Sequence, residues 1–183
     1  MKKKKKKFNP FNEIRNFSNV NSQIDEKDLE LKALTFVRNA NFLEAEKIYK
    51  KLIENNSNNH IVYTNLAAIL QTKNVDLNVE ELLKKAISLK PDFADAYSNL
   101  GCFYHSKKRL NEAITCYQKA LDIKDSYPEA NFNMGNAYRD LKDVEKAIIY
   151  LKKAIEFKKD YFDAHLNLAT IFVKQKRIID CLP

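Results

Sequence analysis

ADAYSNLGCFYHSKKRLNEAITCYQKALDIKDSY, residues 94–127, decides the fold. Within it Tyr97, Leu100, Gly101 and Tyr104 fall at i, i+3, i+4 and i+7, and Ala113, Ile114, Tyr117, Ala120 and Leu121 mark a second stripe of the same kind. Both spacings are those of an amphipathic helix. The polar break between them, His105 to Arg109, is long enough only for a turn, so the segment predicts an antiparallel helical hairpin.

Stepping 34 residues in either direction finds the same residue classes again: Ala45, Val79, Ala113 and Ala147; Leu52, Ala86, Ala120 and Ala154; Phe36, Leu70, Tyr104, Tyr138 and Phe172. The register holds from about Glu26 to the C-terminus without an inserted or deleted residue. A repeat of this length cannot bury its apolar face alone, so successive copies must stack and share a core. The predicted copies are 26–59, 60–93, 94–127, 128–161 and a shortened 162–183. Small residues recur at one place in each first helix, Ala67, Gly101, Gly135 and Ala169, and the chain's two glycines both sit there. Glycine inside a helix costs about 1 kcal/mol against alanine. The expected reason is close approach of the partner helix.

These residues resemble the tetratricopeptide repeat family, whose pattern is an aromatic, Leu-Gly, Tyr, Ala, an aromatic, Ala and a terminal Pro. The third copy reads Tyr97, Leu100-Gly101, Tyr104, Ala113, Tyr117, Ala120; the fourth reads Asn131, Met134-Gly135, Tyr138, Ala147, Leu151, Ala154. Only Pro91 fills the proline position, where Ser57, Asp125 and Lys159 stand in the other copies. The first copy departs most, with Leu31-Lys32-Ala33, and is expected to cap the array. The resemblance implies an all-α, right-handed superhelical solenoid of stacked antiparallel helix pairs, about four and a half repeats over residues 26–183.

Composition agrees: four prolines, two glycines and no tryptophan leave little room for hairpins or sheet. Residues 1–25 differ in kind. Lys2 to Lys7 precede an Asn- and Phe-rich stretch without helical period, which predicts a disordered arm. Those lysines carry six of the eight net positive charges, so the repeats are nearly neutral. A solvated lysine run is the plain reading; binding to nucleic acid or an anionic membrane is the functional one, and neither partner is expected, although Phe8, Phe11 and Phe17 lie beside the lysines. No apolar segment follows the lysines as in an export signal, and no run approaches membrane-spanning length.

Cys102, Cys116 and Cys181 form no paired framework, which points to a reducing, cytoplasmic setting. Cys102 is expected on the face of its helix away from the core. His60, His105 and His165 share no ligand spacing, so no metal or other cofactor is implied. Phosphate-binding and nucleophile motifs are likewise missing. The expectation is a protein that is not an enzyme.

One polar feature repeats. Asn65, Asn99, Asn133 and Asn167 share a repeat position, and at about 100° per residue they point more than about 100° from the core stripe. Asparagine is a mediocre helix former, so four at one phase ask for a reason. By resemblance they face a concave groove, each amide offering a donor and an acceptor to the backbone of an extended peptide. The other reading is architectural, with each amide bonding a neighbouring repeat. Asp95, Glu129, Asn136 and Arg139 stand on the same face, with Cys102, His105, Asp163 and Thr170 nearby. Family members that clamp a C-terminal carboxylate place lysine and arginine beside such asparagines; that set is missing, so no strong preference for acidic tails is expected.

The fifth copy has its first helix, Phe162 to Gln175, but only six residues, Ile178 to Pro183, for a second. Six residues cannot form a stable packed helix. Leu166, Ile171, Phe172, Val173, Ile178 and Ile179 would then form an apolar edge, expected either to pair with a second copy of the chain or to belong to a longer array. The sequence therefore supports a non-catalytic scaffold for protein partners. The alternative is the recruitment portion of a longer transferase (glycosyl-, sulfo- or methyltransferase) whose catalytic domain is absent here.

Overall fold

The computed structural model describes residues 26–75 and 78–175. The lysine arm, Ile178, Ile179 and Cys181 lie outside them. The described chain is all-helical: α1 (26–38), α2 (Phe42–Glu54), α3 (His60–Thr72), α4 (Val79–Leu89), α5 (Ala94–Ser106), α6 (Leu110–Ile123), α7 (Pro128–Asp140), α8 (Val144–Phe157) and α9 (Phe162–Lys174). The described residues fall into two compact units, one up to residue 58 and one from residue 59 on, the boundary falling one residue before the predicted end of the first copy.

In the first unit α1 and α2 bury Ala33, Ala45, Ile48, Tyr49 and Leu52. In the second, each helix packs on the next in chain order from α3 to α9, and α3 also meets α5 as α5 meets α7. First helices thus have neighbours on several sides. α5 buries Ala94, Ala96, Ser98, Leu100, Gly101, Phe103 and Tyr104, far more than one stripe. Second helices keep a single apolar face: α6 buries only Ala113, Cys116, Tyr117 and Ala120. The periodic positions named from the sequence are the core, with Val79, Ala86, Ala113, Ala120, Ala147 and Ala154 all at 0% exposure.

The glycines sit where helices touch. A Cβ on Gly101 would stand 2.5 Å from Cε1 of Tyr117, and one on Gly135 would stand 2.9 Å from Cγ of Leu151. Each first helix is therefore pressed against the large residue of its own second helix. In the copy that spans 60–93 the same pair of positions is Ala67 and Leu83, both fully buried, so there the pair accommodates one methyl more.

Turns within the pairs repeat just as strictly. The amides of Asn41, Val75, Arg109 and Asp143 donate to the carbonyls of Phe36, Leu70, Tyr104 and Tyr138 at 2.8, 2.9, 2.9 and 3.0 Å, the six-residue closure of a Schellman end. This motif needs a left-handed residue, usually glycine. Here Ala40, Asn74, Lys108 and Lys142 take it, with φ of 54, 55, 61 and 67°, and no glycine has positive φ. Asn41 and Asp143 then cap the following helices, accepting from the amides of Glu44 at 3.4 Å and Lys146 at 3.1 Å.

Two outcomes follow for stability. Gly101→Ala should lower the unfolding free energy by about 1 kcal/mol or more in urea titrations, because overpacking outweighs the gain in helix propensity. Introduced together with Tyr117→Leu, the same change should cost less, a coupling that a double-mutant cycle reads directly. Lys142→Gly should raise stability by about 0.5–1 kcal/mol by relieving a left-handed lysine, measured as a rise in the denaturation midpoint at unchanged slope.

Candidate functional site

The four asparagines stand one to a helix on α3, α5, α7 and α9, and all are half-buried. For Asn133 and Asn167 the bonds that accompany this burial reach the preceding first helix. Nδ2 of Asn133 donates to Sγ of Cys102 on α5 at 3.3 Å, and Nδ2 of Asn167 donates to Oδ1 of Asn136 on α7 at 2.7 Å. In both pairs the acceptor lies three residues after the preceding asparagine. The residue so placed for Asn99 is Ala68, which offers no side-chain acceptor, and the Asn99 amide makes no side-chain hydrogen bond among the described residues. Instead the backbone carbonyl of Asn99 accepts from Nε2 of Gln71 on α3 at 3.2 Å.

Each engaged amide keeps its carbonyl oxygen and its second N–H, since one donor is used in each bond. Architecture and ligand binding are therefore compatible roles for one side chain. Asn136, bonded through Oδ1, likewise retains both donors.

The charged neighbours are partly committed. Asp95 is exposed and accepts from the Tyr127 hydroxyl at 2.8 Å, while Glu129 is exposed in the first turn of α7. Carboxylates in first turns complement the helix dipole. Arg139 turns to its neighbour Asp140, with Nη2 and Nε at 3.3 and 3.4 Å from Oδ1, and the other oxygen of Asp140 lies 3.1 Å from Nε2 of His105 on α5. The one arginine expected on this surface is thus offset by an adjacent carboxylate.

Cys102 corrects the sequence expectation. Far from facing away from the core, it is half-buried between α6 and α7, where Tyr117 donates its hydroxyl to the sulfur at 3.6 Å beside the Asn133 bond. The helical wheel assumed one packed face, whereas α5 packs against α3, α4, α6 and α7. Burial raises the Cys102 thiol above its ordinary value and pushes Cys116 up to about 11. Both stay protonated and weakly nucleophilic at neutral pH. Among the described residues no group of three or more His, Cys, Asp or Glu side chains could hold a metal ion. Nor is any described helix long and apolar enough to cross a membrane.

A polar latch that the sequence pattern did not reveal joins α4 to α5 and α6. Glu80 accepts from the Tyr104 hydroxyl at 2.9 Å, from Lys84 at 2.7 Å and from Arg109 at 3.2 Å. Arg109 also grips Glu112 with both nitrogens of its fork and lies 4.3 Å over the Tyr104 ring. The Lys84 bond, with Tyr104 and Arg109 behind it, holds the Glu80 carboxyl below its ordinary value. Desolvation first, and then the Glu80 carboxylate, push Tyr104 up to about 12.

Several comparisons bear on this arrangement. Residues 103–139 and 135–176 match the family model described as TPR repeat, and residues 82–115 match that described as Tetratricopeptide repeat. A crystal structure of MamA superposes with a TM-score of 0.71 at 22% identity, over 81% of this chain and 87% of that one. PilF of Pseudomonas aeruginosa gives a TM-score of 0.77 at 20% identity, over 85% of this chain and 71% of the other. YrrB, described as a TPR protein with an unusual peptide-binding site, gives 0.64 at 22% identity, over 81% and 87%. At such identities the likeness is one of fold. No curated protein sequence matches the chain.

The Glu80 latch sets a pH dependence. A carboxyl lowered in the folded state contributes stability above its unfolded value of 4.5 and loses it as pH falls through the lower folded value. Urea midpoints of the intact chain should therefore drop below pH 4.5, and Glu80→Gln should be less stable at neutral pH yet show a flatter acid limb.

Proposed function

The chain belongs to the tetratricopeptide repeat family, and from that premise we propose that it is a non-catalytic scaffold which binds an extended segment of a partner protein along the surface of α3, α5, α7 and α9. The observation that carries this reading is the asparagine row: four half-buried amides at one phase, of which Asn133 and Asn167 keep a carbonyl oxygen and an N–H after bonding the preceding helix. An extended peptide backbone presents alternating N–H and C=O groups, which a row of amides can match without reading sequence. Each such bond contributes about 0.5–1.5 kcal/mol net, so useful affinity requires several rungs together with side-chain contacts.

The bonds from Asn133 to Cys102 and from Asn167 to Asn136 favour this role, because they fix the rotamers of the groups that would meet the peptide. Preorganised groups lose less freedom on binding. With Arg139 offset by Asp140, and Asp95 and Glu129 exposed on the same side, the surface suits neutral or basic segments over acidic tails. YrrB's peptide-binding site gives a precedent within the fold. Asn65, Asn99, Asn133, Asn167, Asp95, Glu129, Asn136 and Arg139 are the proposed contact residues, and the proposed setting is the reducing cytoplasm that three cysteines without a paired framework suggest.

The reading is tested by lysate pull-down with the intact chain beside a variant bearing Asn65→Ala, Asn99→Ala, Asn133→Ala and Asn167→Ala, matched for helicity. Partners held by the intact chain should be lost from the variant by tenfold or more. Retention of all partners by the variant would remove the asparagine row from binding and leave it with repeat packing alone.

A further inference from the structure

The fourth copy breaks the repeat pattern at one buried position, and a cleft opens there. Tyr63 and Tyr97 hold the aromatic position of the second and third copies, but the fourth has Asn131. Its side chain is 2% exposed. Nδ2 donates to the carbonyl of Tyr127 at 3.0 Å, and because that partner can only accept, the orientation of the amide is fixed. Oδ1 then makes no hydrogen bond among the described residues. Asn131 lines a cleft of about 500 Å³ between α6 and α8, walled by Leu121, Tyr150 and Phe157. Where an aromatic ring would fill the wall, a shorter amide leaves room and presents an acceptor.

The rim of this cleft carries Asp122, Asp125 and Glu156 against the single cation Lys153, an excess of two negative charges. Asp122 accepts from Gln118 at 2.9 Å, and Lys153 lies 5.3 Å from the Tyr150 ring centroid. A fitting guest must donate hydrogen bonds, carry positive charge and place an apolar stem against Leu121 and Phe157. It should also be weakly hydrated and flat enough to lie beside Tyr150 and Phe157. Guanidinium meets these demands better than a compact, strongly hydrated ammonium.

We propose that the α6–α8 cleft is a second binding site, independent of the asparagine row, which takes an arginine side chain of a partner protein with Asn131 as the inner acceptor and Asp122, Asp125 and Glu156 as the charged rim. An acceptor without a protein partner that opens onto the cleft is available to a donor entering it. The charge excess selects a cationic donor.

The test is titration of the intact, isotope-labelled chain with N-acetylarginine amide at millimolar concentration, read by amide chemical shifts. N-acetylcitrulline amide, a neutral isostere, and N-acetyllysine amide serve as comparators. The arginine probe should shift Gln118, Asn131, Lys153 and Glu156, and citrulline should bind at least tenfold more weakly. Asn131→Tyr, which restores the residue of the second and third copies, should abolish the shifts, and Asp125→Asn, at an exposed loop position, should weaken them severalfold with the fold unchanged. Equal binding of citrulline, undiminished binding by both variants, or no shift in the cleft would overturn the proposal. Equal binding of the lysine probe would overturn its assignment to guanidinium.

Discussion

Everything in this structure depends on how closely a first helix can approach its own second helix. The contact between Gly101 and the ring of Tyr117, and its counterpart between Gly135 and Leu151, set that distance in two successive copies. Removing a side chain at one position lets a large one across the gap be buried completely, as Tyr117 and Leu151 are. Burying such a side chain contributes about 1.5–3 kcal/mol, which exceeds the about 1 kcal/mol that a helical glycine costs. Pair geometry is thereby fixed before any contact between copies is made. The stack then follows from repetition.

Most of the architecture was legible because repetition amplifies a weak signal. A lone Ala113 says little, but Ala45, Val79, Ala113 and Ala147 at one spacing name a buried position, and all four are fully buried. Close packing at the glycines was legible for the same reason. What the pattern did not carry was whatever differs between copies. The latch of Glu80 with Tyr104 and Arg109, the sulfur of Cys102 as an acceptor, and the Asn131 cleft each occur once among the described residues. Turn geometry was hidden for another reason: the left-handed positions carry alanine, asparagine and lysine, so the usual glycine marker is missing. A helical wheel also misjudged Cys102, because it allots one buried face to a helix that packs against four others.

The candidate site was legible as a row and not as a set of bonds. Sequence phase placed Asn65, Asn99, Asn133 and Asn167 at one repeat position, and all four are half-buried on first helices. Only coordinates show that Asn133 and Asn167 reach to the helix before them while the amide of Asn99 has Ala68 in the matching place. The distinction between a ligand-facing and a structural amide dissolves there, since one amide has enough hydrogen-bonding capacity for both. Arg139 teaches the complementary lesson. Its charge is visible in the sequence, but its pairing with Asp140 governs what it offers to a partner.

The unlike bonds at successive boundaries bear on how such a chain finds its order. Copies that share a core pattern are in principle interchangeable, and misassembly between similar units is the characteristic failure of repeat proteins. Were α7 to settle on α3 in place of α5, Asn133 would meet Ala68, with neither sulfur nor amide to accept its proton. The same slip would bring Asp143 to the place of Arg109 and set two carboxylates against each other at Glu80. Apolar periodicity makes the copies stick, and the singular polar pairs act as an address that tells each copy which neighbour is its own.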